Sequence, residues 1–178
     1  MRLIFILPLV AALALGACGR DDKPKSEDEV KDAMANMVKP KPGLYRSTAK
    51  LVSFEVPGMP AAQAERLKEV FSQQAGREVC LSKAEADKGY EEMTKKLAAE
   101  GKCQYDRFDA RGGTIDAKMS CETGKDMKAT IELKGTMSEE GSQLHMKVEQ
   151  AAPNLPNGGS VKMEADVASQ RIGDCPVG

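Results

Sequence analysis

The 178-residue chain has no Trp, three Tyr, four Phe and a single histidine, His145. With so few rings, a core must be built from Leu, Val, Ile, Ala and Met, and platforms for stacking nucleic-acid bases are scarce. An excess of positive charge is missing too, since 26 Lys and Arg stand against 27 Asp and Glu. Nucleic-acid binding rests on a basic surface, and nothing here suggests one. Beyond residue 17 no apolar run approaches the roughly 20 residues that a membrane-spanning helix needs. Catalytic apparatus is thin. A Ser-His-Asp arrangement would depend wholly on His145, whose parity puts it on the polar face of a strand near Lys147 and Glu149. No Gly-x-Ser-x-Gly turn accompanies it, and no Cys-x-x-Cys pair offers zinc binding or thiol exchange. The expectation is a protein that is not an enzyme and carries no cofactor or metal.

What is there begins at the N-terminus. Residues 1–17 read as an export signal: Arg2 is basic, Leu3 to Leu15 is almost wholly apolar, and Gly16-Ala17 is small. The apolar run is short for a spanning helix and contains Pro8. Leu15-Gly16-Ala17-Cys18 resembles the bacterial lipobox, in which the cysteine takes a diacylglycerol and becomes the new N-terminus. The alternative is an ordinary secretory signal with a stray cysteine. Lipidation of Cys18 implies stable membrane anchoring through two or three acyl chains, in the cell envelope and facing the periplasm. Gly19, with no Asp in its place, resembles the outer-membrane default rather than an inner-membrane sorting signal. Five cysteines is an odd count for an exported chain. Assigning Cys18 to lipid leaves Cys80, Cys103, Cys121 and Cys175 for two disulfides in an oxidising compartment.

Residues 18–42 read as the lipidated cysteine and a flexible tether, with mixed charges and Pro24, Pro40 and Pro42. Within it, Ser26 and Glu29 form a capping-box pattern, and Val30, Ala33, Met34, Met37 and Val38 follow at helical spacing. Two readings stand: a loose helix, favoured because isolated short helices are marginal in water, or a helix docked on the domain or the bilayer. The globular domain is expected over 43–178. Leu44 to Val56 is strand-like, but the apolar parity slips, since Tyr45, Ala49 and Leu51 are out of phase with Val52, Phe54 and Val56. A bulge near Leu51 would reconcile them. Two helices follow, one over 61–75 with Ala64, Leu67, Val70 and Phe71 on a face, and one over 83–100 with Ala86, Tyr90, Met93 and Leu97. Cys80 lies between them in or near a short extended segment. Gly89 weakens the second helix by roughly 1 kcal/mol relative to alanine.

The remainder alternates apolar and polar residues with period two, the mark of half-buried strands. Ile115 to Cys121, Met127 to Gly135, Leu144 to Val148 and Val161 to Val167 all follow it, and 102–110 pairs with the first of these across Arg111-Gly112-Gly113. Pro153 to Gly159 is the connection most suited to a mobile loop. The expected fold is α+β: a curved antiparallel sheet of about six strands, an open half-barrel, with a two-helix insertion after the first strand. If Ala110 faces Thr114 across the hairpin, counting back sets Cys103 opposite Cys121, leaving Cys80 for Cys175. Four cysteines allow three pairings, and the other two require a different hairpin register.

With these pieces in place the chain resembles a family of bacterial envelope proteins, domain of unknown function 3617. The likeness rests on Pro42-Gly43-Leu44-Tyr45, Val56-Pro57-Gly58-Met59-Pro60, Cys80-Leu81, the spaced Cys103 and Cys121, and Arg171-Ile172-Gly173-Asp174-Cys175. Tyr45 stands where relatives often carry Trp. The resemblance implies export, a disulfide-stabilised β-rich domain and no assigned activity, with no catalytic residues to carry across. Met119, Met127, Met137, Met146 and Met163 all take the inward parity of their strands. Methionine is adaptable core filler in a ring-poor protein, and that is the simpler reading. The functional one is a soft lining for an apolar ligand such as a lipid tail. No clustered Met-x-Met pattern favours copper(I). The expectation is therefore a non-enzymatic binding module for an apolar ligand or envelope protein, with a structural or assembly accessory as the alternative.

Overall fold

A computed structural model describes residues 23–73, 76–89, 102–122, 127–151, 153 and 159–176. Its elements are α1 (Glu27–Ala35), β1 (Gly43–Glu55), α2 (Ala61–Gln73), β2 (Arg77–Leu81), α3 (Lys83–Lys88), β3 (Lys102–Arg111), β4 (Thr114–Glu122), β5 (Lys128–Ser138), β6 (Gly141–Ala151) and β7 (Ser160–Gly173). The strands form one antiparallel sheet in the order β2-β1-β7-β6-β5-β4-β3, open at β2 and β3. Strands β3 to β7 form a meander, each lying beside the next, while β1 closes onto β7 and carries β2 on its outer edge.

Among the described residues the sheet has seven strands rather than six. The added strand, β2, pairs Arg77 to Leu81 with Ser47 to Gly43 of β1. It is exposed from Arg77 through Cys80, so it lacks the alternating burial that sequence patterning detects. Strand β1 contains the irregularity its parity slip predicts. Leu51 faces Ala165, but Ser53 faces Glu164 and Phe54 faces Met163, a register shift that leaves Val52 over and puts Leu51 and Phe54 on one side. A further bulge, at Asp106, lies between Tyr105, opposite Met119, and Arg107, opposite Lys118. It brings Tyr105 and Phe108 to the same face, where their rings meet edge-on with centroids 5.6 Å apart.

The segment from Lys25 to Met37 is part of the core. Ser26 caps α1 through a complete capping box: its hydroxyl accepts from the Glu29 N–H at 3.3 Å, and the Glu29 carboxylate accepts from the Ser26 N–H at 2.8 Å. Val30, Met34 and Met37 are 3%, 4% and 5% exposed. They pack with Tyr105, Phe108, Ala110, Ile115, Ala117 and Met119 in one buried cluster. Just before the helix, the Lys25 N–H donates to the Tyr105 carbonyl at 2.8 Å, so the chain is bound to edge strand β3 from that point. The loose helix on a free tether is thus corrected. The apolar stripe of α1 finds enough partners on the sheet to overcome the marginal stability of a short helix.

The other helices also depart from expectation. Helix α3 starts at a capping box of Ser82 and Glu85 and ends at Lys88, where Gly89 adopts φ 61° and stops it. Ala86 is buried, while Tyr90, Met93 and Leu97 lie outside the described residues. Helix α2 leaves Leu67 and Val70, two members of its apolar face, exposed at 42% and 53%. The side chain of Phe71 and most of the 153–159 loop lie outside the described residues.

Two cysteine pairs staple this frame. Cys103 and Cys121 stand opposite each other in the β3–β4 hairpin, with Cα atoms 4.0 Å apart. Cys80 of β2 joins Cys175, just beyond β7, with Cα atoms 5.4 Å apart. Closing loops of 18 and 95 residues restricts the unfolded chain by about 3 and 4–5 kcal/mol in the chain-entropy model.

Candidate functional site

Residues paired across antiparallel strands point to the same face, so the register assigns the two surfaces of the sheet. One face carries the rows Met119–Ile131–Val148–Met163–Phe54 and Ala117–Leu133–Met146–Ala165–Leu51. Of the methionines expected to line a cavity, Met119, Met137, Met146 and Met163 share this side, but they divide. Met119 and Met137 are each 3% exposed, inside the cluster that α1 covers. Met146 and Met163 are half-buried further along the sheet, beside half-buried Leu144, Val148 and Val167. Met127, also half-buried, precedes β5. Cys18 lies outside the described residues.

The opposite face is a ladder of alternating charge. Across β4, β5, β6 and β7 run Lys118–Glu132–Lys147–Glu164 and Asp116–Lys134–His145–Asp166. Lys147 Nζ lies 2.8 Å from Glu164, and Arg107 reaches Asp116 at 2.7 Å. The hydrogen bond from Lys147 holds the Glu164 carboxyl below its ordinary range and raises the Lys147 ammonium above its own. Glu149 is lowered in the same way, first by the Ser160 hydroxyl and then by the nearby Lys162 ammonium. His145 belongs to this ladder, with Nδ1 2.7 Å from Asp166 and Nε2 3.8 Å from Glu164. No nucleophile accompanies it in these contacts. A shallow hollow of about 440 Å³ opens beside it, where Gly135 leaves room between Lys134, Lys50 and Asp166. A Cβ on Gly135 would run into the Gln143 carbonyl. No methionine lines this hollow.

A third arrangement joins most of the sequence signatures at one end of the sheet. Arg171 Nε donates to the Pro42 carbonyl at 2.9 Å, and its guanidinium also holds Asp174. Gly43 lies so close to Arg171 that a Cβ would approach Nε to 2.5 Å. Leu44 pairs with Cys80 on one side and Gly173 on the other. Tyr45, 7% exposed, sets its hydroxyl 2.7 Å from the Lys41 carbonyl and 3.0 Å from that of Glu139. Burial pushes this phenol above its ordinary range. The Cys80–Cys175 bond completes the clasp. An open groove of about 600 Å³ lies over it, between Pro42, Leu81, Lys83, Arg171 and Asp174. Sequence patterning marks these residues without giving them a role. Their convergence depends on β1 lying between β2 and β7, which no local pattern encodes.

Among the described residues no group of His, Cys, Asp or Glu is placed to hold a metal ion, and no helix is long and apolar enough to cross a membrane. The fold and its surfaces define a class: an open antiparallel sheet stapled by two cysteine pairs, with one face partly sealed by an N-terminal helix. The family model described as "Protein of unknown function (DUF3617)" matches residues 40–175, and the chain belongs to that family. The match begins at Pro40, so α1 precedes the part the family model covers. Searches of curated proteins and of solved structures found no match.

Proposed function

We propose that the protein is a membrane-anchored envelope lipoprotein, acylated on Cys18 and facing the periplasm. Its domain is a non-enzymatic binding module for an apolar ligand or another envelope component. The outer membrane is favoured by Gly19. The observation that carries the binding role is the unequal cover of the apolar face. Helix α1 seals Met119 and Met137, whereas Met146, Val148, Met163 and Phe54 stay half-buried across three adjoining strands. Adaptable, Met-bearing apolar surface of this kind suits a soft or variable ligand. A second reading is a structural or assembly accessory acting through protein contacts. It is favoured by the filled core beneath α1 and by hollows that are shallow and without methionine.

Native mass spectrometry of protein made in a bacterial periplasm separates the two. Extra mass that leaves on denaturation identifies a bound apolar ligand. A bare mass, with envelope proteins captured by cross-linking in cells, identifies the accessory. Intact mass of protein extracted from its native membrane tests the anchor: acyl chains on the N-terminal cysteine are expected, and an unmodified thiol refutes it.

A further inference from the structure

We infer that the domain is held at the surface of the bilayer that carries its anchor, with edge strand β3 toward the lipid and edge strand β2 away from it. This rests on the acylation of Cys18 proposed above. Composition suggests a tether running to residue 42, long enough to let the domain turn freely. The structure ends that freedom much earlier. Lys25 is bonded to the middle of β3, Ser26 caps α1, and Val30, Met34 and Met37 are buried beneath the sheet. Only residues 19–24 separate Cys18 from the point where the chain joins the fold.

That geometry sets a short leash at one edge. The seven steps from Cys18 to Lys25 span at most about 25 Å when fully extended, and about 15 Å as a flexible coil. Strand β2 stands six interstrand spacings from β3, about 29 Å at ~4.8 Å each. The point of attachment therefore lies at one extreme of the sheet, and the leash is shorter than the sheet is wide. The partner for the β3 edge is the lipid surface itself. The clasp of Arg171, Gly43 and Cys80–Cys175, next to β2, is presented to the periplasm, where another envelope component can reach it.

The test uses full-length acylated protein in phosphatidylethanolamine–phosphatidylglycerol vesicles that carry an acceptor dye on a fraction of their headgroups. A donor is attached through a genetically encoded amino acid at exposed Gln104 of β3, or at exposed Arg77 of β2. The expected transfer rate is at least about fivefold higher from position 104, given a separation near 29 Å. A 20-residue Gly-Ser insertion between Asp22 and Lys23, which leaves α1 docked, should bring the two rates together. Equal transfer from both positions in the acylated, uninserted protein overturns the orientation while leaving the anchor standing. Absence of acyl chains on Cys18 by intact mass overturns both.

Discussion

Replacing Met34 with alanine tests whether α1 belongs to the folding unit. Met34 is 4% exposed and packs in the cluster containing Tyr105, Phe108 and Met119. Removing its buried side chain forfeits about 1.5–3 kcal/mol of transfer free energy, and the cavity left behind brings the loss to about 2–5 kcal/mol. Intrinsic helix propensity acts in the opposite direction, since alanine is the better helix former. A helix that merely hung from the domain would be unchanged or slightly stabilised. The two pictures therefore differ in sign as well as size. With a urea dependence of about 2 kcal/mol per molar, typical for a domain of this size, the midpoint should fall by about 1–2.5 M. The measurement is urea unfolding of protein exported behind an ordinary secretory signal with Cys18→Ser, followed by far-ultraviolet circular dichroism. Lys31→Ala, on the exposed side of the same helix, is the control and should stay within about 0.5 kcal/mol of the parent. A Met34→Ala midpoint no lower than that of the control refutes the docking argument.

Removing the hairpin staple with Cys103→Ala and Cys121→Ala should cost about 3 kcal/mol, and a difference below 1 kcal/mol in the same titration would contradict the loop-closure account. Gly113 has φ 81°, and a Cβ there would sit 2.7 Å from the Met137 carbonyl. Gly112 has φ 56° with open space around it. Gly113→Ala should thus lower the thermal midpoint more than Gly112→Ala, by about 1–3 kcal/mol in stability, and the reverse order would be wrong for this turn. Glu164 has a carboxyl pKa below its ordinary 4.5 because Lys147 bonds its charged form, so the pair's contribution is present above that pH and lost as acid titrates the carboxylate. Carboxyl NMR of Lys147→Met should show the Glu164 midpoint moving up toward 4.5, and an unmoved midpoint would rule out the pairing. The Tyr45 phenol is raised by burial, so its ionisation disfavours the fold and stability should fall as pH climbs above 10. The difference between the ultraviolet titrations of the parent and of Tyr45→Phe should place the Tyr45 phenol above 10, and a difference curve with its midpoint at or below 10 would remove the effect.

The sequence made the sheet legible wherever one face is buried. The bulge near Leu51 follows from parity alone, because a strand cannot turn both Leu51 and Phe54 inward without an extra residue. The hairpin shows how a correct contact can come from an imperfect count. Counting from Ala110 opposite Thr114 pairs Cys103 with Cys121, yet the turn is one residue tighter and Ala110 faces Ile115. The bulge at Asp106 shifts the register back by one, and the cysteines meet after all. Patterning was incomplete where burial gives no signal. The short extended segment around Cys80 was legible, but its place as an exposed edge strand of the sheet is defined only by its pairing with β1. Helix α1 carries a readable apolar stripe, but whether a stripe stays loose or docks depends on an unoccupied surface elsewhere, here the Tyr105 and Phe108 side of β3. The methionines were legible as inward-facing. Their division between a sealed cluster and an open row is set by where α1 crosses the sheet.

The position of β7 has a consequence for how the protein is made. The last of the described strands in chain order is an interior one, placed between β1 and β6. Until residues 160–173 arrive, both neighbours offer bare hydrogen-bonding edges to whatever strand comes near. Cys103 and Cys121 can meet as soon as their hairpin exists, but Cys80 must wait through 95 residues for its partner. Oxidation in the wrong order would trap β2 against a local thiol. A chain of this design leaves its central pairing open for longer than one whose final strand lies at the rim.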